Sequence, residues 1–196
     1  MRTAMVNKYI RILSVFICLS ALYGCAAALV TGGAAGASVA ADQRTTGTVI
    51  EDQSIELKAL RAISDNRELS ENSHLSVTSY NTIVLVTGET PSEELRRQAI
   101  DVISGVEKVS HVHNEIAIAA PSSLMSRSSD SLITSKVKTK LLADPNVKGL
   151  SIKVVTDKGI VYLMGIVSRQ QGELATEVAR QTGGVQKVVM LFEYID

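Results

Sequence analysis

The sequence predicts an α+β protein of two tandem domains, each an αββαβ unit with two helices packed on one face of a three-stranded mixed sheet. Three observations point there. A short unit occurs twice: Ile83-Val84-Leu85-Val86-Thr87-Gly88 is echoed by Ile160-Val161-Tyr162-Leu163-Met164-Gly165, and Gly105-Val106-Glu107-Lys108-Val109 by Gly184-Val185-Gln186-Lys187-Val188. The echoes lie 77 and 79 positions apart, so one fold of roughly 70 residues is written twice in a chain of 196 residues. Helical and strand periodicities also follow one another in the same order in both halves. Finally, the chain has no Trp and few aromatics but many Val, Ile and Leu, a composition suited to small β-branched sheets with thin cores.

Each element has a local reason. In the first copy, Ile55, Ala59, Ala62 and Ile63 recur at helical spacing and predict a helix over 52–64. Leu75-Ser76-Val77-Thr78 alternates as a strand, Asn81 marks a turn, and Ile83 to Val86 is an apolar strand closed by Gly88. Pro91 sits where a helix N-terminus accepts proline, Leu95, Ala99, Val102 and Ile103 share one helical face, and Gly105 ends that helix. Val109, Val112, Ile116 and Ile118 mark the last strand. The second copy repeats the order over 131–143, 151–156, 159–165, 168–182 and 185–195, with Asp157-Lys158-Gly159 as its hairpin turn. The second helix of each unit is the crossover between parallel strands. Residues 48–119 form the first domain, the Ser-rich stretch 120–129 a linker whose Leu124 and Met125 are available for packing between domains, and 130–196 the second domain.

The N-terminus lies outside this fold. Arg2, Lys8 and Arg11 precede an apolar run, Ile12 to Leu22, too short to span a bilayer comfortably. Leu22-Tyr23-Gly24-Cys25 then resembles a bacterial lipobox, which implies a signal peptide over 1–24 and lipidation of Cys25. An ordinary secretory signal cut near 26–28, or an uncleaved anchor, are the other readings. Ala26 rather than Asp after the Cys implies, by the same resemblance, export to the outer membrane, facing the periplasm. Residues 25–47 read as a flexible Ala/Gly/Ser/Thr tether. Cys18 and Cys25 are the only cysteines, so nothing remains for a disulfide or a Cys-based metal site.

Catalytic chemistry finds little support. Gly32-Gly33 and Gly183-Gly184 lack the context of a phosphate-binding loop, and there is no Ser nucleophile elbow. His111 and His113, with Glu115, share one face of a strand, the only hint of a metal site; the polar, solvated face of an edge strand is the better explanation. Glu93 and Glu94 sit in a helix first turn, where the dipole favours negative charge. The expectation is therefore no catalytic residue, no metal, no cofactor and no nucleic-acid partner.

The two copies differ in charge. Residues 48–120 carry six Lys/Arg against twelve Asp/Glu, and residues 128–196 nine against seven. In the helix that opens the second copy, Ile133, Val137 and Leu141 face the core. Leu132, Lys136 and Thr139 lie on an adjacent face bordered by Ser135 and Lys140. Shifting by 78 positions puts Ser54 where Leu132 stands and Ala62 where Lys140 stands, beside the acidic Glu51, Asp52 and Glu56. A leucine among lysines and hydroxyls suits an anionic membrane surface.

These features together resemble the BON domain: an αββαβ unit, a Gly closing the second strand, and a Gly-Val near the third. Two such domains behind a lipobox resemble the dual BON-domain lipoproteins of the outer membrane. That resemblance implies binding of anionic phospholipid, such as phosphatidylglycerol, through Leu132, Ser135, Lys136, Thr139 and Lys140. It also implies support of outer-membrane integrity and an association with the division site. The competing reading is an adaptor whose acidic first domain binds an envelope protein. Oligomeric state is left open by the sequence.

Overall fold

A computed structural model describes residues 42–195. The first domain runs α1 (Thr46–Asp65), α2 (Arg67–Asn72), β1 (His74–Tyr80), β2 (Ile83–Thr90), α3 (Glu93–Ser104) and β3 (His111–Ile118). The second runs α4 (Leu124–Ala143), a 3-10 turn (Gly149–Ser151), β4 (Lys153–Asp157), β5 (Ile160–Val167), α5 (Arg169–Arg180) and β6 (Lys187–Tyr194). Each sheet has its strands in sequence order, an antiparallel hairpin followed by a parallel third strand. The α+β prediction therefore holds, with α2 as an addition whose Leu69 joins the first core.

The middle strands explain the layering. Val84 and Val86 of β2 point to the helices with Ile55, Ala59 and Ile103, while Leu85 points the other way. In β5, Val161 and Leu163 face the second domain's helices, and Tyr162 and Met164 face away from them. Those outward faces meet. Tyr80, Leu85, Tyr162 and Met164 form a third core between the sheets, flanked by Ile83, Val155, Ile160, Ile166, Val189 and Leu191. The result is four layers, helices–sheet–sheet–helices, because a strand apolar on both faces must be covered on both. Polar pairs ring this junction: Glu89 to Lys158 (2.8 Å), Glu56 to Lys153 (2.7 Å), and hydrogen bonds from Asn81 Nδ2 to Glu193 and from Tyr80 Oη to the Ser151 carbonyl.

The helices start earlier than their apolar periodicity suggests. Thr45 accepts from the Thr48 amide and caps α1; Ser123 accepts from the Ser126 amide and caps α4. Residues 124–129, expected as irregular linker, are thus the first turns of α4, and Leu124 and Met125 point to solvent rather than between domains. Order also begins within the stretch read as tether: Arg44 pairs with Asp42 and Asp52 and stacks over the Tyr80 ring at 3.9 Å. The segment expected to be a signal peptide, the expected lipidation site Cys25 and the expected tether up to residue 41 lie outside the described residues.

The repeat register needs one correction. Gly105 is not the counterpart of Gly184. Gly105 has φ −76, whereas Lys108 (φ 74) and Gly184 (φ 103) both take the left-handed conformation and both lead into the third strand. The Gly105 amide bonds the Asp101 carbonyl as the Gln181 amide bonds that of Glu177, so Gln181 is the match. Val106, Val109 and Val112 give the first copy two overlapping Val-x-x-Val pairs, so the Val185–Val188 pair of the second copy aligns with either, and the Gly and Lys matches favour the pair that the backbone does not. Gly88 and Gly165 do correspond. A Cβ at Gly88 would sit 2.0 Å from the His74 carbonyl oxygen, at a φ of +115, and one at Gly165 would sit 2.8 Å from that of Ser151.

Candidate membrane-facing site

The candidate site is the outer ridge of α4. Its core side is set by Ile133, Val137 and Leu141, all buried. At about 100° per residue the opposite side carries Leu124, Met125, Ser128, Leu132, Ser135, Thr139 and Leu142 in one line. Leu132 is 63% exposed and Met125 82%. Lys136 and Lys140 flank this line on one side and Lys138 on the other. The helix carries four Lys/Arg and one Asp.

The hydroxyls on and beside the ridge are already occupied. Ser128 donates to the Leu124 carbonyl, Ser131 to Arg127, Ser135 to Ser131 and Thr139 to Ser135. Their donors are satisfied within the helix, so no O–H is left over for an outside acceptor. The ridge's available side-chain donors are those of the lysines. Lys140 Nζ donates to the Gln181 carbonyl at 3.1 Å and ties α4 to the end of α5. Lys136 and Lys138 make no ion pair or side-chain hydrogen bond among the described residues and are the freest cations of the helix. The five residues predicted from sequence are thus all exposed on α4, with roles divided: Leu132 apolar, Ser135 and Thr139 neutral surface, Lys136 a free cation, Lys140 a partly engaged one. Sequence reasoning missed Leu124, Met125, Leu142 and Lys138. The signal for the first two was present: Ser123 as N-cap, and Met125 seven residues before Leu132.

The other candidates resolve into structure. His111 and His113 stack edge to face at 4.6 Å, and Glu115 accepts from Tyr162 Oη at 3.3 Å across the sheet junction. Burial first, then His111, pushes the His113 imidazole below its usual range. Among the described residues no three His, Cys, Asp or Glu side chains gather as metal ligands. The acidic cluster at the start of α1 divides. Buried Asp52 accepts from the Ser79 hydroxyl, from the Asn81 and Thr82 amides and from Arg44. Glu56 accepts from the Ser79 amide and Lys153, and Glu51 lies 3.4 Å from Lys108. Asp130 repeats the role of Asp52 at the second hairpin, accepting from the Lys158 and Gly159 amides.

No helix among the described residues is long and apolar enough to cross a membrane. A protein-family model for the BON domain matches residues 51–120 and 129–196. The chain is 37% identical over 175 residues to the outer membrane lipoprotein DolP of Haemophilus influenzae, covering 89% of this chain and 91% of that protein. It is 35% identical to a 21 kDa hemolysin of Actinobacillus pleuropneumoniae, over 79% of each chain. It is 30% identical to the osmotically-inducible protein Y of Escherichia coli, over 81% of this chain and 80% of that one.

Proposed function

The chain belongs to the BON-domain family, and from that premise we propose that it is a lipid-anchored protein of the bacterial outer membrane, facing the periplasm, whose second domain lies on anionic phospholipid along α4. The observation that carries this is the α4 ridge: an exposed apolar line with lysines on both sides and no unsatisfied hydroxyl between them. Apolar side chains enter the acyl boundary, and the lysine stems snorkel so that their ammonium groups meet phosphates. Each lysine near an anionic surface contributes about 1 kcal/mol, and burying a leucine or methionine about 1.5–3 kcal/mol. That is weak binding alone. An acylated Cys25 would hold the domain at the surface and make weak binding sufficient.

In this reading the protein is not an enzyme: its carboxylates serve hairpins and the domain junction. The adaptor alternative is less well supported, since Glu56, Glu89, Glu93 and Glu107 are each engaged by a cation. Support of envelope integrity, at the division site included, belongs to the same proposal, and detergent sensitivity of a deletion strain tests it. The direct test uses a soluble form lacking residues 1–25, mixed with vesicles of neutral or anionic lipid. Co-sedimentation with anionic vesicles alone, weakened by salt and lost in Leu132→Glu, is expected. Equal sedimentation of Leu132→Glu and the parent would reject the site.

A further inference from the structure

The two domains fill the same place beside their hairpins differently. Strand register puts Tyr80 opposite Ile83 and Asp157 opposite Ile160, so Asp157 stands in the second domain where Tyr80 stands in the first. Asp130 stands where Asp52 stands, each seven residues after its helix N-cap, Ser123 or Thr45. Asp52 accepts four hydrogen bonds, one of them from Arg44 Nη1 at 2.6 Å, and the same guanidinium lies over the Tyr80 ring. Asp130 accepts two among the described residues, from the Lys158 and Gly159 amides, and Ser122 occupies the position of Arg44. A carboxylate offers about four acceptor sites, so about two of Asp130's are open, although the residue is only 8% exposed. Where the first domain holds a tyrosine ring and a guanidinium, the second has a groove of about 420 Å³. His74, Thr87, Arg127, Asp130, Thr156 and Asp157 line it.

The cations already at this groove are committed elsewhere. Lys158 lies 2.8 Å from Glu89. Arg127 donates through Nη1 to His74 Nε2 at 3.0 Å and forms no ion pair among the described residues. Its Nε is buried without a hydrogen-bond partner. Burial, and then the Glu89 charge, raise the Asp157 carboxyl above its usual value, as befits a carboxylate short of a counterion. The groove therefore lacks a cationic donor for Asp130 and Asp157 and an acceptor for Arg127 Nε. We propose that it receives an arginine side chain of a partner polypeptide. The guanidinium donates to Asp130 and Asp157, and a neighbouring peptide carbonyl accepts from Arg127 Nε. In the first domain Arg44 supplies the guanidinium from within the chain, reaching Asp52 from the residues just ahead of α1. A guanidinium suits two carboxylates better than an ammonium does, because its planar fork donates to both at once. Asp130 belongs to the buried side of α4, so this groove is distinct from the helix's outer ridge and the inference does not depend on the lipid-facing reading.

The test uses the full-length, isotope-labelled protein in zwitterionic detergent micelles, titrated with an end-capped Gly-Arg-Gly peptide and followed by amide NMR. The Lys158 and Gly159 amides, which bond Asp130, are expected to shift saturably. The Asn81 and Thr82 amides stay in place, since their Asp52 already holds Arg44. The same peptide with citrulline, an uncharged isostere of arginine, gives no such shift. Asp157→Asn, isosteric with the native side chain, weakens binding about tenfold or more, as the loss of one charge-assisted hydrogen bond requires. Methylguanidinium, which brings no peptide carbonyl, binds more weakly than the peptide. No saturable shift at Lys158 and Gly159, an equal response to the citrulline peptide, or unchanged affinity in Asp157→Asn would overturn the site. Equal affinity for methylguanidinium and the peptide would overturn the polypeptide partner and leave a small guanidinium compound as the occupant.

Discussion

Asp52 and Asp130 show what one buried carboxylate does for each domain. Each lies on the first helix and accepts two backbone amides of the first hairpin, whose turn residues take positive φ: Asn81 and Thr82 at 51° and 67°, Lys158 and Gly159 at 50° and 74°. Asp130→Ala strands two buried donors and is expected to destabilise by about 2–3 kcal/mol in urea unfolding. Thr82 holds a left-handed conformation that costs a β-branched residue about 1 kcal/mol or more. Thr82→Gly is therefore expected to stabilise modestly, although it loses the hydrogen bond from Thr82 Oγ1 to Ser110. Glu89 is fully buried at the junction. Burial pushes its carboxyl up, but the Lys158 ammonium, helped by Ser122, holds it below the usual 4.5. A depressed folded pKa means stability present above about pH 4.5 and lost as pH falls through the folded value. Glu89→Gln should thus cost about 1.5–3 kcal/mol at pH 7, the range for a charge-assisted hydrogen bond, and progressively less as pH falls below 4.5. Nearby Asp157 is raised above 3.8, by burial first and then by Glu89. Its ionised form opposes folding, so Asp157→Asn should stabilise at pH 7, and the gain should shrink once acid protonates the native side chain. Denaturant titrations at several pH values check both signs.

At the scale of elements, strands and crossover helices were legible in the sequence because their burial is periodic. Leu95, Ala99 and Ile103 are the buried residues of α3, as their spacing requires. The first turns of α1 and α4 were not legible, for a physical reason. Their outer faces are apolar or hydroxyl-bearing yet exposed, so hydrophobic periodicity fades there and only the caps Thr45 and Ser123 mark the start. The candidate site was half legible for the same reason: Leu132 and Lys136 stood out beside a clear core face, whereas Met125 sat in a stretch that looked like linker. The roles of Asp52 and Asp130 were hidden because a carboxylate that accepts from the backbone has no sequence period. The longer ridge carries its own prediction. Met125→Glu should weaken binding to anionic vesicles about as much as Leu132→Glu, and Lys138→Ala should weaken it about as much as Lys136→Ala. Co-sedimentation of the four variants measures this.

At the scale of the molecule, the sheet-on-sheet core makes two domains one body. Leu85 is buried between the sheets beside Tyr162 and Met164, and Leu85→Ala is expected to cost about 2–5 kcal/mol and to split a single unfolding transition into two. Calorimetry reads that split. The stacking also fixes orientation: the ridges of α1 and α4 point in opposite directions, so one membrane engages only one of them. Because the chain contains no Trp, a single introduced tryptophan reports the contact without background. Leu132→Trp and Leu57→Trp place it at the crest of α4 and of α1. On anionic vesicles carrying brominated acyl chains, Leu132→Trp should shift to the blue and be quenched while Leu57→Trp remains unchanged. An unquenched Leu132→Trp, or equal quenching of the two, would contradict the membrane-facing assignment of α4.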